Sequence, residues 1–297
     1  MKKILILLAM MLTSMVYAQK TVHVVWPFAI GSPQANMVRT IIDSANSQQG
    51  KYQFVFLHKP GAGGAVAAYT VAESKDLSLL ASTSSFYIRP LLYKDSHNVD
   101  DFNMVTLVCS AQPLSILSKK INRLSDAQGR EVALGVIPGS ITTLVTRTIK
   151  RENADIKVLE VPYKGTPEAT TDMLGGHIDG SVDFIGTSVT SRFGTDIKVL
   201  GITGKRQING YPTFQSLKIY GLENVTNDYF YFVNKSVDVD TRQELNRILT
   251  NSYTEKTKSL CEDDFGQLVK TPYTQVDEIH KSNKVRWEKL TSGIIRE

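Results

Sequence analysis

Thr21-Val22-His23-Val24-Val25-Trp26 leads directly into Pro27-Phe28-Ala29-Ile30-Gly31-Ser32-Pro33. The valine-rich run reads as a strand, and a helix start follows it. Ser32 is a good N-cap, and Pro33 fits the first helical position, where a missing N–H costs nothing. Val38, Ile41, Ile42 and Ala45 then recur at i, i+3, i+4 and i+7, one face of an amphipathic helix. Tyr52–His58 is a second strand, with Tyr52, Phe54 and Phe56 alternating against Gln53, Val55 and Leu57. Ala65, Ala68, Tyr69 and Ala72 repeat the helical spacing, and Leu77–Ser82 is a third strand. This βαβαβ rhythm predicts a mostly parallel sheet with helices on its faces.

A second βα series begins near Glu131, with strands at Val132–Val136, Lys157–Val161, Ile178–Phe184 and Ile197–Ile202. Helices are expected at Ile141–Lys150 and Pro167–Leu174. Phe102–Ser118, between the two series, is strand-like, and so is Tyr229–Val233. From about Val239 the chain reads as helical, with Leu245, Ile248 and Leu249 on one apolar face and Val276, Ile279, Trp287 and Leu290 on another. The 297 residues exceed what one hydrophobic core usually supports. Two α/β lobes are therefore expected, 19–121 with 228–297 and 122–227, and two crossings would leave a cleft between them.

The N-terminus reads as an export address. Lys2 and Lys3 precede an apolar run from Ile4 to Leu12, and Val16-Tyr17-Ala18 offers a cleavage site. The expectation is a 1–18 signal peptide, cleavage after about Ala18, and a periplasmic location. The net charge of +5 drops to +3 without Lys2 and Lys3, and the remaining charges are dispersed. No basic stripe suits nucleic acid. Cys109 and Cys261 make no disulfide framework, and two separate buried thiols are preferred to a bridge.

In α/β folds, ligands gather where strands end and helices begin. Four such junctions share one chemistry. The first is the Phe28, Ala29, Gly31, Ser32 loop, and the second is Pro60-Gly61-Ala62-Gly63-Gly64. The third is Pro138-Gly139-Ser140 with Thr142, and the fourth is Tyr163-Lys164-Gly165-Thr166-Pro167, where Thr166 is expected to cap and Pro167 to open the helix. The run Ser82-Thr83-Ser84-Ser85 adds hydroxyls. Helix N-termini offer unpaired N–H groups and the positive end of the macrodipole, so they suit a carboxylate without a cationic side chain.

Several motifs in order carry a resemblance. Pro27-Phe28 with Gly31 and Arg39, the intact Pro60–Gly64 element, and Asp101-Phe102 before Val105-Thr106-Leu107-Val108 form the first set. Val161-Pro162-Tyr163-Lys164-Gly165, Leu174-Gly175-Gly176-His177-Ile178-Asp179 and Asp183-Phe184 form the second. Together they resemble the substrate-binding proteins of tripartite tricarboxylate transporters, also called the Bordetella uptake gene family, over essentially the whole mature chain. The resemblance implies a type II periplasmic-binding-protein fold that closes like a flytrap about two hinge strands. It also implies a small carboxylate solute and two membrane subunits as partners, with no metal and no cofactor. Ser32 stands where the family has a second glycine, and Ala35 where it has aspartate. The expectation is a more electropositive first loop with one N-terminal donor freed. Lys75-Asp76 replaces the family's Asp-Gly, at a surface turn.

Several residues keep two readings. Asp183 either caps a helix or accepts a ligand hydroxyl or ammonium group. Lys164 and Arg89 either pair with a distal carboxylate or serve the protein alone, and Phe28 and Tyr163 either stack on ligand or wall the cleft. His23, His58, His97, His177 and His280 show no metal or catalytic spacing. The glycine loop at Gly61–Gly64 lacks the Gly-Lys-Ser/Thr ending of a phosphate loop, and no Gly-x-Ser-x-Gly elbow is present. A non-catalytic solute-binding protein is the reading, with a receptor-docking solute sensor or a hydrolase as alternatives.

Overall fold

The computed structural model describes residues 19–186, 197–208 and 210–297, so the expected signal peptide lies outside the described residues. Two sheets organise the chain. The first has strand order β11-β4-β10-β3-β1-β2 and the second β7-β6-β8-β5-β9. In the first, β1 (Lys20–Trp26) runs parallel to β2 (Tyr52–His58) and to β3 (Ser78–Thr83). The central β3 is buried along its whole length, whereas the edge strand β2 alternates at its start. That difference is what two-sided and one-sided burial demand of a strand.

Helix α1 (Pro33–Gln48) packs Val38, Ile41, Ile42 and Ala45 into the core, the face its spacing predicts. Ser32 caps it, accepting from the Ala35 N–H at 3.2 Å, and Pro33 stands in its first turn. A cap of this kind contributes about 1 kcal/mol. Helix α2 is Ala65–Ala72. Helix α3 (Ser85–Leu92), which starts at the last residue of the serine run and is not among the expected elements, follows β3.

Both sheets are mixed in the same way, in keeping with the mostly parallel expectation only at their cores. Each has a parallel core flanked by antiparallel strands where the chain crosses over. The strand-like stretch Phe102–Ser118 is two strands, β4 (Phe102–Gln112) in the first sheet and β5 (Leu114–Ser118) in the second. Pro113 lies between them without an N–H to give to a ladder. In the second sheet β6 (Glu131–Val136) is parallel to β7 (Lys157–Pro162) and β8 (Gly180–Phe184), and β5 is antiparallel to β8 and β9 (Lys198–Ile202). Helices α4 (Ile141–Glu152) and α5 (Thr166–Gly175) belong here. The return strand β10 (Asn227–Asn234) inserts antiparallel between β3 and β4.

The two crossings lie side by side. Leu114 N–H donates to Thr203 Oγ1 at 2.9 Å, and Thr203 N–H donates to the Leu114 carbonyl at 2.8 Å. Asn227 Nδ2 donates to Gln112 Oε1 at 3.3 Å, and Asn227 Oδ1 accepts from Ser84 N–H at 3.3 Å. Asp228 accepts from Ala111 N–H at 2.8 Å and pairs with Arg286 at 2.7 Å.

Helices α6 (Val239–Asn251), α7 (Glu255–Glu262) and α8 (Val276–Thr291) complete the first lobe, with the short β11 (Gln267–Leu268). Leu245 and Leu249 of α6, and Val276 and Trp287 of α8, are fully buried, as their spacing predicts. No helix among the described residues is long and apolar enough to cross a membrane.

One expectation is overturned: Cys109 and Cys261 form a disulfide, with S–S 2.02 Å and Cα atoms 5.9 Å apart. Their separation of 152 residues concealed this. The short β11 pairs Leu268 with Cys109 and so brings α7 over β4. Gly266 makes the approach possible, since a Cβ there would stand 2.6 Å from Cys109 Sγ. The double variant Cys109→Ala/Cys261→Ala should lose about 2–4 kcal/mol in denaturant unfolding. An unshifted midpoint would mean the bridge constrains nothing the fold does not already hold.

Candidate functional site

The strand ends of both sheets face one cavity with about 440 Å³ of empty space, part of it open to solvent. From the first sheet come Trp26 at the end of β1, Phe28, Ala29 and Ser32 in the loop after it, and Thr83 and Ser85 at the β3–α3 junction. From the second come Ile137, Ser140, Ile141 and Thr142 around the start of α4, Gly165, Thr166 and Pro167 at the start of α5, and Phe184 at the end of β8. Asn227 and Tyr229 of β10 and Gln34 of α1 complete the lining. Among the described residues, no lysine or arginine lines it.

Local chemistry fixes these groups. The Phe28–Ala29 loop is held by three bonds: His58 Nε2–H to the Phe28 carbonyl at 2.9 Å, Ser32 Oγ–H to the Ala29 carbonyl at 3.0 Å, and Trp26 Nε1–H to the same carbonyl at 3.4 Å. Trp26 meets Phe28 edge to face at 5.5 Å and stacks on Tyr229 at 6.5 Å. Ser140 caps α4, accepting from Thr142 N–H at 3.1 Å, while the Ser140 and Thr142 hydroxyls stand 2.8 Å apart. Ile141 N–H donates to Ser85 Oγ at 3.3 Å, a bond from the second lobe to the first.

The lobes touch where glycines permit it. A Cβ on Gly165 would lie 2.5 Å from Ala29 Cβ, and one on Gly63 would lie 2.2 Å from the Pro138 carbonyl. The cleft is therefore shut, lip against lip.

The anticipated residues divide. Phe28, Ala29, Ser32, Thr83, Ser85, Ser140, Thr142, Gly165 and Thr166 line the cavity. Gly31 and Asp183 line an adjoining, wider recess instead. Ser82 lies behind the site beside Met37 and Tyr231. Ser84 is spent on the hinge, its Oγ accepting from Asp228 N–H at 3.0 Å. Gly139 packs on Arg89, whose Nη1 would stand 2.6 Å from a Cβ there. Tyr163 turns away, donating to Asp172 Oδ2 at 2.7 Å, and Lys164 is exposed. Arg89 is buried and salt-bridged to Asp95 at 3.1 Å, which uses its charge within the protein. The Pro60–Gly64 element contributes lobe contact rather than lining.

Two local expectations are corrected. Helix α5 begins at Thr166 with Gly165 as its cap residue, so Thr166 does not cap it; its side chain bonds Asp183 instead. The Ala35 N–H is not free, because Ser32 takes it. Ala35 is itself fully buried, which leaves the position no room to face a ligand.

Asp183 accepts from Phe184 N–H at 2.8 Å, within its own strand, and from Thr170 Oγ1–H at 2.9 Å, a side chain of α5, so these bonds cap no helix. Burial nonetheless pushes its carboxyl up to about 6. Across the recess Asp264, which accepts from Gln34 Nε2 at 3.0 Å, is pushed up to about 7 by burial and then by the charge of Asp183. Neither Asp264 nor Gln34 carried a sequence signal, since their partners lie far along the chain.

Two sheets joined by paired crossovers, with a shut cleft at their strand ends, define a two-lobed binding protein of the type II periplasmic class. Residues 37–257 match the model of the tripartite tricarboxylate transporter family receptor, and the chain belongs to that family. It is 24% identical over 225 residues to the UPF0065 protein in the TAR-I ttuE-ttuC' intergenic region of Agrobacterium vitis, covering 70% of this chain and 63% of that one. A UPF0065 protein of Bordetella bronchiseptica is 24% identical over 172 residues, 54% of this chain and 51% of that one. The chain thus spans about half to two thirds of the length of these relatives. Among solved structures it is similar to the periplasmic binding protein BugD, with a TM-score of 0.82, 21% identity, and coverage of 95% of this chain and 100% of that one. It is also similar to MatC from Rhodopseudomonas palustris with bound malate, with a TM-score of 0.80, 19% identity, and coverage of 92% and 99%.

The extended backbone at Gly165 accepts any residue, so Gly165→Ala adds only a Cβ at the lip. The variant should keep its unliganded thermal midpoint while losing at least about tenfold in ligand affinity, because shape change and binding are linked. Retained affinity would show the lip contact to be irrelevant to capture. The buried acids give a pH signature. Their folded pKa values lie above the ordinary 3.8, so their contribution is full below about pH 4 and is lost as pH rises through about 6 to 7. Asp264→Asn should flatten the fall in urea stability across that window, and an unchanged slope would contradict it.

Proposed function

We propose that this protein is the periplasmic solute-capturing member of a tripartite tricarboxylate-type uptake system, holding a small carboxylate between its lobes and catalysing nothing. The observation that carries the reading is the cavity itself. The N-termini of α1, α3, α4 and α5, two from each lobe, meet there, with no cationic side chain among the described lining residues. Orphan N–H groups and serine and threonine hydroxyls then supply the positive potential that an anion needs. Ala29, Ser32, Thr83, Ser85, Ser140, Thr142, Gly165 and Thr166 are the proposed contacts.

Family membership supports delivery of the cargo to two membrane subunits, and supports export with loss of the first 18 residues or so. Carboxylates bound by structural relatives, adipate in an R. palustris protein and malate in MatC, support the ligand class. Closure is a hinge motion about the paired crossovers, so a ligand that touches both lobes stabilises the shut form.

Thermal unfolding against small carboxylates and their matching amides tests the reading. A bound carboxylate at a hundredfold excess over its dissociation constant adds about 2.7 kcal/mol of stability. The midpoint should rise with an acid and stay put with its amide. Equal responses to both would reject an anion site.

A further inference from the structure

The cavity and the recess beside it are joined through Gln34, Thr166, Pro167 and Phe184, which line both. Their chemistry is sharply different. Around the helix N-termini, beside the serine and threonine hydroxyls, the inner wall carries a broad apolar and aromatic surface: Trp26, Phe28, Ile137, Ile141, Phe184 and Tyr229. The outer recess carries Asp183, Asp263 and Asp264 and, among the described residues, no lysine or arginine. The two cations nearest in sequence to the site are otherwise placed, Arg89 on Asp95 and Lys164 in solvent.

A single carboxylate at the helix N-termini meets neutral donors. A second one, extended along a ligand toward the recess, meets the buried acids Asp183 and Asp264, with no lysine or arginine among the described lining residues. Like charges brought close together away from bulk water repel. Rejection by charge is as effective a source of specificity as attraction.

Resting on the carboxylate-capture reading, we propose that the cleft selects an acid with one negative charge and an apolar, ring-sized body, and that Asp183 and Asp264 exclude di- and tricarboxylates. The family's bound relatives with adipate and malate carry two carboxylates, so this cleft departs from them in cargo. Asp264 acts as a specificity-determining residue without touching the preferred ligand.

The test uses matched pairs that differ by one carboxylate: benzoate against terephthalate, and hexanoate against adipate, by calorimetry at about pH 8, where Asp183 and Asp264 are both ionised, on the mature chain. Within each pair the second carboxylate should lower affinity at least about tenfold. Asp264→Asn, which preserves shape and can still accept from Gln34, should raise the dicarboxylate-to-monocarboxylate affinity ratio by a similar factor. Dicarboxylates that bind the wild type as well as their partners overturn the proposal, and so does an unchanged ratio in a folded variant. If the variant fails to fold, the wild-type pairs still decide. Binding of none of the four acids overturns the carboxylate reading itself, an outcome distinct from a preference for the doubly charged member.

Discussion

The two crossings between the lobes are one structure, because each supplies the other's hydrogen-bond partners. Leu114 and Thr203 exchange bonds across the gap, and Asn227 reaches both Gln112 and Ser84. Buried polar groups like these are costly if any partner is lost, so the network tolerates little local rearrangement. It pins the relative height of the two sheets. With that height fixed, the strand ends of β1, β3, β6 and β7 can meet at a common cavity only by rotation of the lobes. Ser84 shows the coupling most directly: it belongs to the hinge, while Thr83 and Ser85 on either side of it line the site.

Under the proposed reading, the cavity would hold an anion without a charged group among its described lining residues. A cationic side chain would bring its own desolvation penalty and would need a counterion in the empty state. Helix N-termini avoid both, since their N–H groups are already oriented by the helices that carry them. The cost moves to the approach distance, which is why the lips at Gly63 and Gly165 have no side chain.

Much of this was legible in the sequence where the signal is local. The α1 cap, the apolar faces of α1, α6 and α8, and the strand–helix alternation of both lobes follow from spacing and turn chemistry. So does the gathering of small polar residues at strand ends. What escaped depends on long-range pairing. The Cys109–Cys261 bridge, the Gln34–Asp264 bond and the commitment of Arg89 to Asp95 are contacts that no residue announces by its neighbours. Tyr163 fell between these cases, since its loop is at the cleft and its side chain is drawn off by Asp172. The Thr166 misreading has a local cause: an N-cap residue and the first helical residue both precede Pro167 acceptably, and Gly165 in extended backbone takes the earlier place.

The bridge between β4 and α7 has a consequence for how the molecule is made. All of the second sheet lies within the loop it closes, between Leu114 and Ile202. A chain emerging from its N-terminus completes that sheet as one continuous stretch. The first sheet, by contrast, stays unfinished until β10 arrives to part β3 from β4, and its covalent staple must wait for Cys261. The lobe that begins the chain is thus the last to be completed, and during that interval the bare edge of β3 is what a chaperone would have to guard.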